Sequence, residues 1–165
     1  MSFTKQIDSR TRITRPGIYT LGQDILRGGG TYISESCIQI ASDNVVLDGA
    51  GHTIDGRGVS DTTGIVATAP TGLENILVTN VTVTDWDRGL YFKNVARGVV
   101  HNVHIIGNGY GTSFENVRDI VLNDCRISGN LLGIGLDSPS DTTLRNITIE
   151  SNHGRDVFHR SDCET

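Results

Sequence analysis

A 22-residue period, held in six columns at once, constrains this chain more than any other feature. Asn80, Asn102, Asp124 and Asn146 fall 22 residues apart, as do Val78, Val100, Leu122 and Leu144. Val81, Val103, Cys125 and Ile147 keep the same step, and so do Val83, Ile105, Ile127 and Ile149. Gly89, Gly111 and Gly133 form a fifth column, and Phe92, Phe114, Leu136 and Phe158 a sixth. A unit this short does not accommodate a pair of helices.

Each unit carries alternating runs such as Val81-Thr82-Val83 and Ile147-Thr148-Ile149. This is the period-two signature of a strand with one buried face, and its β-branched residues suit a pleated surface. Bends rich in Gly and Asn follow, at 84–89, 107–111 and 128–133, and Asn94, Asn116 and Ser138 close the units. Gly and Asn accept the left-handed backbone of tight bends. The leucine-rich repeat shares this length range, but it needs fixed leucines and a helical half-unit. The second half of each unit here has no helical periodicity. The expected fold is therefore all-β, a parallel β-helix whose coils of about 22 residues stack roughly 4.8 Å apart. Equal columns then lie above one another. The apolar columns build a continuous core, and the Asn80 column builds a polar ladder of side-chain amides, with Asp124 capping it or facing solvent.

The run Asn44-Val-Val-Leu-Asp-Gly-Ala-Gly-His-Thr-Ile-Asp-Gly56, with the Asn80, Asn102 and Asn146 laps, resembles the parallel β-helix repeat family. That group includes NosD-like periplasmic proteins and many carbohydrate-binding or sugar-hydrolase proteins, mostly secreted or on archaeal surfaces. The resemblance covers roughly residues 13–158 and implies a right-handed helix. It is informative about fold and not about activity, because a fold hosts many functions.

The expected domain plan is a flexible arm at 1–12, the β-helix at 13–158 and a short polar tail at 159–165. Residues 57–74 are expected to form an insertion, with the loop near Pro70 as a binding rim. No apolar run approaches the ~20 residues of a membrane span. No signal peptide is visible at the start, so the expected location is cytoplasmic, or secreted or surface-bound if a targeting segment has been removed. A formal net charge of −5 argues against nucleic-acid partners. Twelve Arg against two Lys, and fourteen Asp against five Glu, suggest a salt-adapted, haloarchaeal source. Cys37, Cys125 and Cys163 have no metal-ligand spacing, and Cys125 is expected to be a buried thiol.

Candidate chemistry centres on Asp85-Trp86-Asp87-Arg88. Two carboxylates about 5 to 9.5 Å apart can cleave a glycosidic bond, so Asp85, Asp87 and Arg88 are the catalytic candidates. An enzyme here would be of glycoside-hydrolase or polysaccharide-lyase type. The plainer reading is an acidic turn with Trp86 covering the column continued by Asn108, Asn130 and Asn152. Trp86, Tyr91 and Tyr110 are candidate sugar-stacking faces. His101 and His104, near Asp124 and Arg126, lack a third strong metal ligand. Asp48, Asp55, Asp61, Asp137 and Asp141 read as turn residues without calcium-loop spacing. Asn80-Val-Thr82 and Asn146-Ile-Thr148 match the glycosylation acceptor pattern by chance. The glycines at 28–30 read as a plain bend without phosphate-loop or dinucleotide spacing. Neither a metal nor a cofactor is expected.

The leading functional expectation is a non-enzymatic structural protein that self-associates head to tail, into a filament or scaffold. The C-terminal end looks thinly covered, and an exposed end coil is an open sheet edge. Ile18, Leu21, Val157 and Phe158 are its end-coil candidates. In architecture alone this resembles the bactofilin-type polymer-forming proteins. The alternative is a carbohydrate-binding or polysaccharide-processing β-helix. A third option is a virus-like spike or surface fragment cut from a larger chain.

Overall fold

The computed structural model describes residues 3–26, 35–58 and 60–159. These form fifteen strands and no helix: β1 (Thr4–Ile7), β2 (Thr11–Ile13), β3 (Gly17–Leu21), β4 (Ser36–Ile40), β5 (Val45–Asp48), β6 (Thr53–Asp55), β7 (Thr63–Ala67), β8 (Leu73–Thr84), β9 (Arg88–Lys93), β10 (Val95–Ile106), β11 (Tyr110–Asn123), β12 (Arg126–Ser128), β13 (Leu132–Arg145), β14 (Thr148–Glu150) and β15 (Val157–His159). Every pairing is parallel, and the strands join one sheet that wraps around three faces. The first face runs through β1, β3, β5 and parts of β8, β10, β11 and β13. The second runs through β6, the ends of β8 and β10, β12 and β14. The third runs through β2, β4, β7, β9, the starts of β11 and β13, and β15. This is the expected parallel β-helix.

The faces meet at single residues with left-handed backbone. Asn80, Asn102, Asp124 and Asn146 have φ of 50–55° and turn the first face into the second. Asp85, Gly107, Gly129 and Ser151 repeat this at the next corner, with φ of 56–71°. Gly72, Asn94 and Asn116, then Asn75, Arg97 and Asp119, shape the third. One left-handed residue bends an extended chain sharply, and Gly, Asn and Asp adopt that conformation at least cost. The amides add rungs: Asn102 donates to Asn80 at 2.8 Å, Asn80 to Asp48 at 3.2 Å, and Asn146 to the exposed Asp124.

Inside, the predicted apolar columns are stacked in register and buried as far as Leu122, Cys125 and Ile127, whereas in the last coil Ile147 and Ile149 are half-buried and Leu144 is exposed. Phe92 packs edge-on against Phe114, with ring centroids 5.8 Å apart. Cys125 is buried, as expected, and so is Cys37, whose thiol burial pushes up to about 12. A second asparagine column runs through this interior. Asn108 donates to Val83 O at 3.1 Å, Asn130 to Ile105 O at 3.1 Å and Asn152 to Ile127 O at 3.2 Å. The amide oxygen of each also accepts a backbone N–H from one coil back: Asn108 Oδ1 from Trp86 N, Asn130 Oδ1 from Asn108 N and Asn152 Oδ1 from Asn130 N, at 2.8–3.0 Å. Trp86 occupies the first position of this column. It is 2% exposed, and its indole N–H donates to Ile54 O at 3.2 Å, the same bond the asparagines make. The Gly89, Gly111 and Gly133 column follows from this packing. A Cβ on Gly111 would stand 2.5 Å from Gly133 O and 3.0 Å from Asn130 Nδ2.

Three expectations are corrected. Residues 4–13 are not a frayed arm: β1 pairs with β3, β2 pairs with β4, and Ile7 and Ile13 are buried. The supposed insertion at 57–74 contains β7, all five residues of which are buried, so only its flanks depart from the coil. The last lap is one residue longer than the 22-residue laps before it, since Ile134 pairs with Val157. Phe158 therefore leaves the Phe92 column and stands opposite Gly135. The bend at Arg27–Gly30, most of the tail and Cys163 lie outside the described residues. Among the described residues no helix is long and apolar enough to cross a membrane.

Candidate functional site

The outer surface of the third face carries a groove of about 360 Å³, lined by Arg88, Tyr91, Tyr110, Ser113, Glu115, Gly135, Asp137 and Phe158 among others. Strand alternation produces it. Phe92 and Phe114 point inward, so Tyr91 and Ser113 one residue earlier point outward, in register with Gly135 and Phe158. Lys93, Glu115 and Asp137 form the next outward column, and Arg88, Tyr110 and Leu132 another.

The charges in the groove are tied to the aromatic rings. Tyr91 Oη donates to Glu115 Oε2 at 2.5 Å, Lys93 Nζ stands 3.6 Å from Glu115 Oε1, and the Arg88 guanidinium lies 5.0 Å from the Tyr91 ring centroid. Burial, and then the hydrogen bond to Glu115, push the Tyr91 hydroxyl up to about 12. Tyr91 is therefore neutral and fixed in orientation, while Tyr110 is 38% exposed. The arrangement offers aromatic faces, carboxylate acceptors and one guanidinium on a scaffold braced by stacked strands.

Of the sequence candidates, Arg88, Tyr91 and Tyr110 come together here. Trp86 does not, because its ring belongs to the core and offers no face to a ligand. Asp85 and Asp87 do not line the groove. Asp85 is exposed at a left-handed corner, and Asp87 Oδ2 accepts the backbone N–H of Asp61 at 2.9 Å, clamping a loop. Ile18 and Leu21 are not end-coil residues, because β1 adds a further strand beside them and Leu21 is buried. Val157 and Phe158 do lie on the last strand, but Phe158 also lines the groove. Asp137 is a strand residue in register with Glu115 and not a turn residue. Sequence reasoning missed Ser113, Glu115, Gly135 and Asp137. The 22-residue successors of the outward Tyr91 and Lys93 would have found them, Ser113 and Gly135 from the first, Glu115 and Asp137 from the second.

His101 and His104 flank the Asn102 corner, and His101 Nδ1 lies 3.7 Å from Asp124 Oδ2. Among the described residues no three His, Cys, Asp or Glu side chains converge to hold a metal. A larger hollow of about 940 Å³ has Pro70, Thr71 and Gly72 on its rim, where the sequence put a binding loop. Among the described residues no aromatic ring lines it.

A family model described as right handed beta helix region matches residues 16–165. The chain belongs to that family. No curated protein sequence matches it. Among solved structures, this β-helix is similar to the Dettilon tailspike protein, with a TM-score of 0.62 and 16% identity. The match covers 94% of this chain and 39% of that one, so this β-helix spans well under half of the tailspike chain. The likeness is one of fold.

Proposed function

We propose that this β-helix binds carbohydrate in the groove of its third face. The observation that carries this reading is the combination of one exposed tyrosine, Tyr110, and the half-buried rings of Tyr91 and Phe158 with carboxylate acceptors along one rigid, open sheet surface. Sugar rings stack their C–H faces on aromatics, and their hydroxyls donate to carboxylates; sites of this kind combine a largely apolar surface with a few placed polar groups. Tyr91, held by Glu115 and covered by Arg88, is a pre-oriented wall, and Tyr110 is the accessible platform.

The test is a glycan-array screen followed by calorimetric titration of any hit. Tyr110→Ala removes an exposed ring without opening the core, and is expected to weaken binding about tenfold. Absence of binding to every glycan would defeat the reading.

The head-to-tail assembly draws on one observation. Among the described residues β1 pairs only with β3, and β15 only with β13, so each presents an open edge. Negative-stain electron microscopy over a concentration series separates the two readings. Regular filaments favour assembly, and discrete particles leave the groove as the functional surface.

A further inference from the structure

Gly135 has no structural reason to be glycine. Every other described glycine has a left-handed φ, or would drive an added Cβ to within 3.0 Å of a neighbour. Gly135 has neither property. Its added Cβ would meet Thr112 O at 3.6 Å and Ser113 Oγ at 3.8 Å, ordinary contact distances. Glycine inside a strand weakens it and often marks the close approach of a ligand. Gly135 also lies within the groove, in the outward column Tyr91, Ser113, Gly135, Phe158. The column is large at both ends and small in the middle. At about 4.8 Å per coil, the two rings stand roughly 14 Å apart.

We infer that Gly135 is the specificity-determining position of the groove, the seat on which one ring of an uncharged glycan rests against bare backbone, with the chain running along the coil axis. This rests on the carbohydrate reading above. The charge pattern selects the class. Glu115 and Asp137 sit in register in the column beside the seat; Glu115 is already engaged by Tyr91 and Lys93 and Asp137 has a partner of its own, and the lone pairs left on these carboxylates accept hydrogen bonds from sugar hydroxyls and disfavour carboxylate or sulfate. Among the described residues the one guanidinium of the groove is stacked over Tyr91 at its far end, and Lys93 faces Glu115. The chain as a whole carries a formal charge of −5. Along the coil axis the glycan's neighbouring rings run toward Phe158 on one side and Tyr91 on the other.

The experiment uses the full chain as wild type, Gly135→Ala and Gly135→Val. Thermal unfolding is measured for each, with calorimetric titration against linear glucan, galactan and mannan oligosaccharides and against oligogalacturonate. A valine suits a strand better than glycine does, so Gly135→Val should unfold at the same or a higher temperature. It should bind the preferred neutral oligosaccharide at least about tenfold more weakly, with Gly135→Ala between it and wild type. Unchanged binding by Gly135→Val would overturn the seat and leave the carbohydrate reading standing. Destabilisation of both variants would show that the glycine is structural and also overturn it. Tightest binding of oligogalacturonate would overturn the uncharged class alone. Failure of wild type to bind any of these probes, or any glycan on the array, would defeat the carbohydrate reading and this inference with it.

Discussion

Two asparagine columns climb the same solenoid with the same period, for different physical reasons. The corner residues Asn80, Asn102 and Asn146 are in left-handed backbone, and Asn102 and Asn146 are exposed. The interior residues Asn108 and Asn130 are buried and have ordinary backbone. At the corner the amide is chosen for a conformation, and its ladder bonds are made beside water. In the interior it is chosen for its hydrogen bonds, because each amide satisfies a backbone carbonyl and a backbone N–H that no solvent reaches. Identical residue type and spacing therefore do not imply identical energetics. Burial decides how much a lost bond costs.

That contrast can be broken at its most extreme point, Trp86, which replaces an interior asparagine. Trp86→Ala removes a buried ring and the donor to Ile54 O, and is expected to cost about 3–5 kcal/mol in urea unfolding. Trp86→Asn restores the donor but not the volume. It should recover about 1 kcal/mol of that loss; no recovery would mean that Trp86 serves the core only by filling it. Next comes Asn130→Ala, which strands the N–H of Asn108 and the carbonyl of Ile105. About 2–4 kcal/mol should be lost on the same denaturation curve. At the corner the expected losses are smaller. Asn102→Ala should cost about 1–2 kcal/mol for its left-handed backbone, and Asn102→Gly should be nearly neutral. An equal cost for alanine at 102 and 130 would erase the distinction between the columns.

The smallest effect concerns protons at the surface. The Tyr91 hydroxyl is raised from 10.0 to about 12 by burial and then by its bond to Glu115. The folded state therefore holds this proton more tightly than the unfolded chain. Its contribution to stability is complete below pH 10 and disappears as the pH rises to about 12. Cys37, raised from 9.0 to about 12 by burial, adds a loss of the same sign that begins near pH 9. Tyr91→Phe should flatten the fall in unfolding free energy between these limits without abolishing it. An unchanged slope would mean that the Glu115 bond does not persist in solution.

Much of this molecule was legible in the repeat. The columns headed by Val78, Val81 and Val83 stack as spaced, and Asn94 and Asn116 sit at corners where their tolerance of left-handed backbone put them. Reading Trp86 as the cover of the Asn108 column was also correct, and it removes the residue that had looked most like a ligand platform. What failed was reading the outward face by residue type. Asp85, Trp86, Asp87 and Arg88 are neighbours in the chain, but a corner and a strand start send them to different surroundings. Phe158 was misplaced because one extra residue in the last lap reverses which way a strand residue points.

The sequence by itself determined the coil, its length, its core columns and its bends, because a repeated 22-residue pattern can bury its apolar faces only by stacking. Tertiary structure alone decided which polar residues meet. The groove draws Tyr91, Ser113, Gly135 and Phe158 from four successive coils. The repeat carries Tyr91 to Ser113 and Gly135, 22 and 44 residues on, but Phe158 joins them only because the last lap holds one residue more, which strand register alone reveals.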